Sequence, residues 1–293
     1  MELRVLQYFL AVAREQSISA AAESLHLTQP TLSTQLRAME DELGKQLLIR
    51  GTKGSRRVLL TEEGIILRKR AEEILALVQR TEEEIMHDDE AVVGDVYIGA
   101  GETDIVRLLA RAAREIQKQH PDIRYHISSG NAEHVLEQLD KGLIDFGLLF
   151  GRTDTQKYEA LPLPGKDTWG VLMRRDVPLA EKASVAPGDL LEKPLILTDQ
   201  PDDAQLLTRW LSPAGGAPHV VATYNLVYNA SLLVDEGLGY ALCLDRLINT
   251  DGSRLCFRPL SPPLESAASL VWKKYPAFSK AARTFLSCLR GLL

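Results

Sequence analysis

The chain has 293 residues, of which 45% are hydrophobic and 25% are charged. These are ordinary values for a globular protein, and they exclude a wholly disordered chain, a collagen-like repeat and a disulfide scaffold. No apolar run approaches the ~18–20 residues that span a bilayer, and charges interrupt the N-terminal apolar segment, so we expect neither a membrane partner nor a signal peptide. Three scattered cysteines favour a reduced, cytoplasmic protein.

The net charge of −6 argues against a nucleic-acid partner, but its distribution along the chain does not. Residues 1–60 hold eight basic and six acidic residues, a net charge of +2. Residues 61–90 carry a net charge of −6, and residues 91–293 a net charge of −2. A mildly basic head on an acidic body leaves nucleic-acid binding open for the head.

The head begins with a predicted helix-turn-helix. Apolar residues at helical spacing predict one helix over 2–14 and a short second helix over 20–25. Thr28 can cap a third helix, Pro30 is tolerated in its first turn, and Gly44 ends it. Two helices joined by a few residues, the second well capped, are typical of this motif. The buried stripe of the third helix is predicted to be Leu32, Leu36, Met39 and Leu43.

The opposite face of the third helix carries small, polar side chains that suit DNA. A glutamine amide can pair with an adenine edge, a threonine methyl can contact a thymine methyl, and a serine can bond a base or a phosphate. A merely solvated helix would carry more glutamate and lysine. The candidate DNA contacts of the helix-turn-helix are Ser19, Thr28, Gln29, Pro30, Thr31, Ser33, Thr34 and Arg37.

A basic hairpin follows the third helix. Short apolar runs at 47–50 and 58–60 flank a glycine-rich loop, which predicts two strands and a turn. After a helix-turn-helix such a hairpin is a wing, whose cations contact phosphates or enter a minor groove. The candidate cations are Arg50, Lys53, Arg56 and Arg57.

A long helix is predicted from Thr61, and a polar hinge at 87–90 follows it. Its apolar residues repeat at intervals of four and three, the spacing of a coiled-coil seam. About 25 helical residues span roughly 40 Å, enough to set the separation of two DNA-reading heads. The alternative is a helix packed on its own body. The seam consists of Leu67, Ala71, Ile74, Val78, Thr81 and Ile85.

Residues 92–293 alternate between predicted strands and helices. This alternation predicts βα units around mostly parallel sheets, and about two hundred residues are enough for two small α/β lobes. The predicted strands are 96–98, 123–127, 146–150, 169–173, 195–197, 220–223, 240–244, 255–257 and 270–272, and the predicted helices are 105–118, 131–141, 203–210, 229–236 and 277–289.

The chain resembles the LysR-type transcriptional regulators. In the head the matching residues are Leu6, Phe9, Ser17, Ile18, Ser19, Ala21, Ala22, Leu25, Gln29, Pro30, Ser33, Leu36, Glu40, Leu43, Gly44, Leu47, Leu48, Arg50, Leu60, Thr61 and Gly64. In the body they are Gly94, Gly99, Pro121, Gly130, Asp145, Gly237 and Gly239. Two positions depart from the family: Thr34 stands where many members carry a basic residue, and Leu48 replaces a common phenylalanine.

The resemblance implies an α/β protein with a winged helix-turn-helix at 1–60, a linker helix and hinge at 61–90, and an effector domain at 91–293. The effector domain would resemble type 2 periplasmic binding proteins, with lobe one at 91–160 plus 268–293 and lobe two at 161–267. Antiparallel linker helices would pair the chain into a dimer or tetramer, and RNA polymerase would be a further partner. The family's DNA contacts correspond to Gln29, Pro30, Ser33, Arg50 and Lys53.

Motifs for catalysis, cofactors and metals are absent from the sequence. Neither glycine-rich run completes a dinucleotide fingerprint, and the six histidines lack ligand spacing. We therefore expect no cofactor, no metal and no enzymatic activity. Two alternatives stay open: a redox-sensing regulator that uses Cys243 and Cys256, and a soluble solute-binding protein or enzyme that binds no DNA.

Polar residues follow several of the predicted strands. Ligands of open α/β sheets bind beyond the carboxyl ends of the strands, so these loops predict a site for a small polar metabolite that acts as effector. A helix N-terminus at such a site usually favours an anionic ligand, because it carries a partial positive charge. Here Glu102 and Asp104 already place acidic side chains at that helix end, which argues against an anion. The candidate effector contacts are Gly101, Thr103, Ser128, Ser129, Asn131, Phe150, Thr198, Gln200, Asn225 and Tyr228.

Overall fold

A computed structural model describes residues 1–51, 57–86, 92–151, 154–215, 217–275 and 278–293. The chain divides into two compact units, Met1–Asp88 and Asp89–Leu293. Among the described helices, none has both the length and the hydropathy that crossing a bilayer requires.

The first unit contains three short helices, a two-stranded hairpin and one long helix. Ser17 caps α2 and Thr28 caps α3, while Gly44 in the left-handed region ends α3, as the sequence predicts. The strands pair antiparallel, with Leu48 opposite Leu60. The elements are α1 (Leu3–Glu15), α2 (Ile18–Ser24), α3 (Gln29–Leu43), β1 (Leu48–Arg50), β2 (Val58–Leu60) and α4 (Glu62–Met86).

The core of the first unit forms where α1, α3 and the start of α4 meet. Phe9, Leu32 and Leu36 are fully buried there. The prediction that Leu43 belongs to the buried stripe is wrong, since 42% of it is exposed. Glu40, only 8% exposed, takes the buried position in the last turns of α3.

The second unit consists of two sheets with helices on their faces. Its elements are β3 (Gly94–Ala100), α5 (Val106–Gln117), β4 (Ile123–Ser129), α6 (Ala132–Asp140), β5 (Phe146–Phe150), β6 (Tyr158–Pro162), β7 (Asp167–Arg174), β8 (Leu195–Thr198), α7 (Pro201–Leu211), β9 (Val220–Tyr224), α8 (Val227–Asp235), β10 (Tyr240–Leu244), β11 (Leu255–Pro259), β12 (Glu265–Ser266), β13 (Ala268–Lys273) and α9 (Lys280–Gly291). Short 3₁₀ helices lie at Pro178–Glu181, Pro187–Leu190 and Ser212–Ala214.

Lobe one is built on a sheet with the strand order β4-β3-β5-β13-β6. Its main core, with Phe146 and Phe285 fully buried, forms under α5 and α9, and a smaller core forms under α6. Leu161 and Pro162 pair with β13, so this sheet extends two residues beyond 160, where the sequence analysis ends lobe one.

Lobe two is built on a sheet with the order β11-β7-β10-β8-β9, and β12 also pairs with β7. The prediction of mostly parallel sheets is wrong for both lobes. Pairs of β3 with β4 and β5, and of β8 with β9 and β10, are parallel. The others are antiparallel, because β13 returns from lobe two into lobe one and β7 runs against its three partners, β10, β11 and β12.

Candidate nucleic-acid interface and effector cavity

The polar face of α3 lies opposite its buried stripe. Gln29, Thr31, Thr34 and Arg37 are exposed there and Ser33 is half-buried. No acidic residue occurs between Gln29 and Met39, so this part of the helix is free of negative side chains. The other predicted contacts of the helix-turn-helix, Ser19, Thr28 and Pro30, are also exposed.

Several hydroxyls of this face already have partners within α3. Thr28 Oγ1 lies 2.8 Å from Thr31 Oγ1 and accepts from the Thr31 amide at 3.4 Å. Thr34 Oγ1 donates to the carbonyl of Pro30 at 2.9 Å. By contrast, within the described part of the chain no hydrogen bond engages the side chains of Gln29, Ser33 or Arg37.

Two arginines of the hairpin are held by polar partners. Arg50 Nη2 donates to Glu40 Oε2 at 2.6 Å, and Arg57 Nε donates to Gln16 Oε1 at 2.9 Å. Arg50, a predicted DNA contact, is therefore held in place by Glu40 within the chain. The sequence analysis missed the role of Glu40, although an acid at a buried helical position signals such a bond. Two other predicted contacts, Lys53 and Arg56, lie outside the described residues.

The predicted seam of α4 does not lie on one free face. Ala71 is fully buried in the core of the first unit, and Leu67 and Ile74 pack against that core. The assignment of Ala71 to a partner helix is corrected, because it belongs to the chain's own core. Leu67 and Ile74 are only partly buried, Val78 is half-buried and Thr81 and Ile85 are exposed, so pairing through these residues stays a prediction. A second apolar set on α4, not predicted from the sequence, consists of Ile65, Ile66 and Leu77, which are exposed by 59%, 64% and 43%.

A cavity of about 730 Å³ lies between the two lobes of the second unit. Its wall is formed by loops that follow β3, β4, β8 and β9, as the strand-end rule predicts. Seven of the ten predicted effector contacts line it: Gly101, Ser129, Asn131, Phe150, Thr198, Gln200 and Asn225.

The structure does not bring the other three predicted contacts to the cavity wall. Ser128 is exposed on β4, an edge strand, and Tyr228 is 64% exposed on α8. Thr103 is buried, and its hydroxyl donates to Asp167 Oδ2 while its Oγ1 accepts from the Ile105 amide. Thr103 therefore joins the lobes directly and turns the chain into α5.

Glu102 joins the lobes as well. Its Oε2 accepts from the amide of Val227 at 2.6 Å, so a lobe-one carboxylate caps the first residue of α8 in lobe two. Three acidic residues that were not predicted from the sequence also line the cavity: Glu133, Asp202 and Asp203. Burial, and then the neighbouring Asp202, raise the pKa of Asp203.

Family models match both units of the chain. A model of the LysR substrate binding domain matches residues 90–293, and a model of the bacterial regulatory helix-turn-helix protein of the lysR family matches residues 3–65. The chain belongs to the LysR family. It is a DNA-binding transcriptional regulator with an effector-binding domain and not an enzyme.

Individual LysR relatives agree with the family models. A hydrogen peroxide-inducible genes activator of Dickeya chrysanthemi is 33% identical over 68% of this chain, a match that spans 64% of that protein. The Hca operon transcriptional activator HcaR of Escherichia coli K12 is 28% identical over 100% of this chain and 98% of that protein. Full-length CbnR in complex with its target DNA shares the fold, with a TM-score of 0.80 and 21% identity over 100% of both chains.

Cys243 and Cys256 of this LysR regulator, which the sequence offers as an alternative redox pair, do not face each other. Cys243 pairs with Gly170 of β7, and Cys256 with Met173, on the other side of that strand. Positions three residues apart on a strand point to opposite faces, and the two sulfurs lie in different hydrophobic cores. A disulfide requires Cα atoms within about 7 Å, so the two thiols are not placed to form one in this arrangement of the strands, and a redox role stays an alternative. Burial also raises the pKa of Cys243 to about 12, which keeps it an unreactive thiol.

Proposed function

We propose that this LysR regulator reads operator DNA with α3 and the hairpin, and that a small polar effector in the interlobe cavity modulates its operator binding or promoter activity. The observation that carries the DNA-binding role is the acid-free face of α3, where Gln29, Ser33 and Arg37 have polar groups without partners in the described structure. Such side chains hydrogen-bond base edges and phosphates at little cost, because no internal bond must break first.

The two-lobed second unit supports the effector role. Its cavity is concave and of the size that small-molecule sites commonly have. Glu102 and Thr103 bond directly across the cleft, so a change in the angle between the lobes would alter these contacts. A ligand can shift that angle only if it binds the two arrangements with different affinity.

Pairing through α4 is the third part of the proposal. Ile65, Ile66 and Leu77 leave an apolar surface on a helix of 25 residues, and a second copy of α4 would bury it. The assembly would be a dimer or a dimer of dimers that places two heads on neighbouring half-sites. RNA polymerase is the further partner that promoter control requires.

A binding experiment with matched variants of α3 tests the DNA-reading role. Duplexes are first selected from a random-sequence pool by the wild-type protein, and the affinity for a selected and for an unrelated duplex is then measured. Gln29→Ala should reduce the ratio of the two affinities by about five- to 150-fold, since a good pairing with a base is worth ~1–3 kcal/mol. Gln35→Ala is the control, because Gln35 is exposed on the same helix but off the polar face.

The salt dependence of binding completes this test. The logarithm of the affinity should fall linearly with the logarithm of the salt concentration, since bound cations of the head release counterions from DNA. Lys53→Ala should weaken binding to both duplexes alike and make the slope shallower. An equal loss for both duplexes in the Gln29 variant would show that this side chain does not read bases.

A further inference from the structure

The charged side chains that line the interlobe cavity are acidic. Five carboxylates line it, and the described lining residues include no lysine or arginine. The remaining ionisable lining side chains are those of His134 and Tyr224, and the Tyr224 hydroxyl donates to the Leu242 carbonyl at 2.7 Å. The acidic lining residues are Glu102, Glu133, Asp199, Asp202 and Asp203.

Helix termini compensate only part of this charge. Three helices, α6, α7 and α8, begin at the cavity wall, and each positive end amounts to roughly half an elementary charge. Together they offset about a third of the charge of five carboxylates. The terminus of α8 is already capped by Glu102, and Glu133, Asp202 and Asp203 lie in the first turns of α6 and α7. A bound anion would therefore meet like charges and no side-chain cation of lysine or arginine.

Another part of the cavity lining is apolar. Leu148, Leu149 and Phe150 line it from β5, and Trp169, Leu244 and Leu247 line it from lobe two. An apolar or aromatic group can pack there, and an aromatic ring also attracts a cation placed over its face. The cavity lining thus combines apolar side chains with carboxylates.

We infer that the effector is an organic cation, an ammonium or amidinium group on an apolar body, whose charge is bound by Asp202, Asp203 and Glu133. This rests on the proposed function, in which the cavity is the effector site. Within the described structure these three carboxylates have no hydrogen-bond or ion-pair partner, so they are available to a ligand. Burial raises the pKa of Asp203, and a bound cation would relieve that cost.

Three probes of one size and different charge test the inference on the full-length protein. They are 3-phenylpropylamine, 3-phenylpropanol and 3-phenylpropionate, and calorimetric titration and thermal unfolding at millimolar concentration report their binding. The amine should bind at least tenfold more tightly than the carboxylate, with the alcohol between them. Equal or tighter binding of the carboxylate, or no binding of the amine, would overturn the assignment of a cation.

Variants separate a specific site from general attraction to an acidic protein. Asp203→Asn and Asp202→Asn should each weaken amine binding about tenfold or more, as loss of a charged hydrogen-bond partner does. Asp122→Asn removes the same charge at an exposed position of lobe one outside the cavity, and it should leave amine binding unchanged. Equal affinities in all three variants would overturn the site. Selective DNA binding by the same wild-type sample checks the proposed function independently, because it does not depend on the ligand.

Discussion

Glu40 binds Arg50 across the first unit, with 2.6 Å between Oε2 and Nη2, and thereby ties α3 to β1. The other oxygen of Glu40 accepts from the amides of Leu47 and Leu48 at 2.9 and 3.0 Å. One buried carboxylate therefore satisfies three donors where the hairpin leaves α3. The geometry of the hairpin relative to the DNA-reading face depends on this residue.

Glu40→Ala should strongly destabilise the first unit. The change leaves two amides and a guanidinium without their acceptor, and breaking a buried charged pair costs about 3–5 kcal/mol. Hydrogen exchange of peptides that contain Leu47 and Leu48 should become much faster, while peptides of lobe two keep their rates. Glu42→Ala is the control, since Glu42 is exposed and bonds only the chain's amino terminus among the described residues. Similar exchange in both variants would mean that Glu40 is dispensable.

Gly64 sets how closely α4 approaches the hairpin. A Cβ atom at this position would lie 2.2 Å from the Leu47 carbonyl oxygen, a contact that the backbone cannot accommodate without moving. Gly64→Ala should therefore destabilise the first unit by about 1–3 kcal/mol, although alanine is the better helix former. Gly291→Ala in α9, where nothing lies within 4 Å, should be neutral or slightly stabilising. Thermal unfolding of both variants tests this prediction. An unchanged melting temperature of the Gly64 variant would contradict the close approach of α4 to the hairpin.

The exposed apolar set of α4 provides a test of pairing. Ile66 and Leu77 lie eleven positions apart, three helical turns, and so share one face. Replacing both with aspartate should place like charges in the proposed interface and give smaller species in sedimentation experiments. Ile49→Asp, at a similarly exposed isoleucine of β1, should leave the assembly unchanged. An unchanged sedimentation coefficient of the double variant would rule out this face of α4 as the interface.

Sequence periodicity predicts the helices of the head well, because the buried residues of each helix recur every three or four positions along the sequence. Periodicity places Ala71 on a heptad seam but does not tell whether a second chain or the same chain covers that seam. In the structure Ala71 is buried in the core of its own first unit. In the same way, the strand-end rule finds most of the cavity wall. The rule fails for Thr103, whose hydroxyl donates to Asp167 and not to a ligand. Asp167 lies on β7, far from Thr103 in the chain, so local sequence does not reveal this partner. Contacts between distant segments are not encoded in local spacing.

The burial of the Asp167 carboxyl, which accepts from the Thr103 hydroxyl, makes the stability of the second unit depend on pH. Burial, and then the carboxylates of Asp104 and Asp245, raise the pKa of Asp167, although Thr103 and Arg246 act in the opposite direction. A carboxyl whose pKa is raised by folding stabilises the fold while it is protonated, below its unfolded pKa of about 3.9, and this stabilisation is lost as the pH rises through the folded pKa.

Asp167→Asn should abolish the loss of stability that the wild type shows as the pH rises. The amide oxygen can still accept from the Thr103 hydroxyl, but the amide does not ionise. The melting temperature of the variant should exceed that of the wild type at neutral pH, and the difference should shrink as the pH falls toward 4. Asp122→Asn, at an exposed site, is the control for a change in net charge and should follow the wild-type curve. If the Asp167 variant is instead less stable at neutral pH, the ionised carboxylate stabilises the fold, and the bond to Thr103 outweighs the burial of its charge.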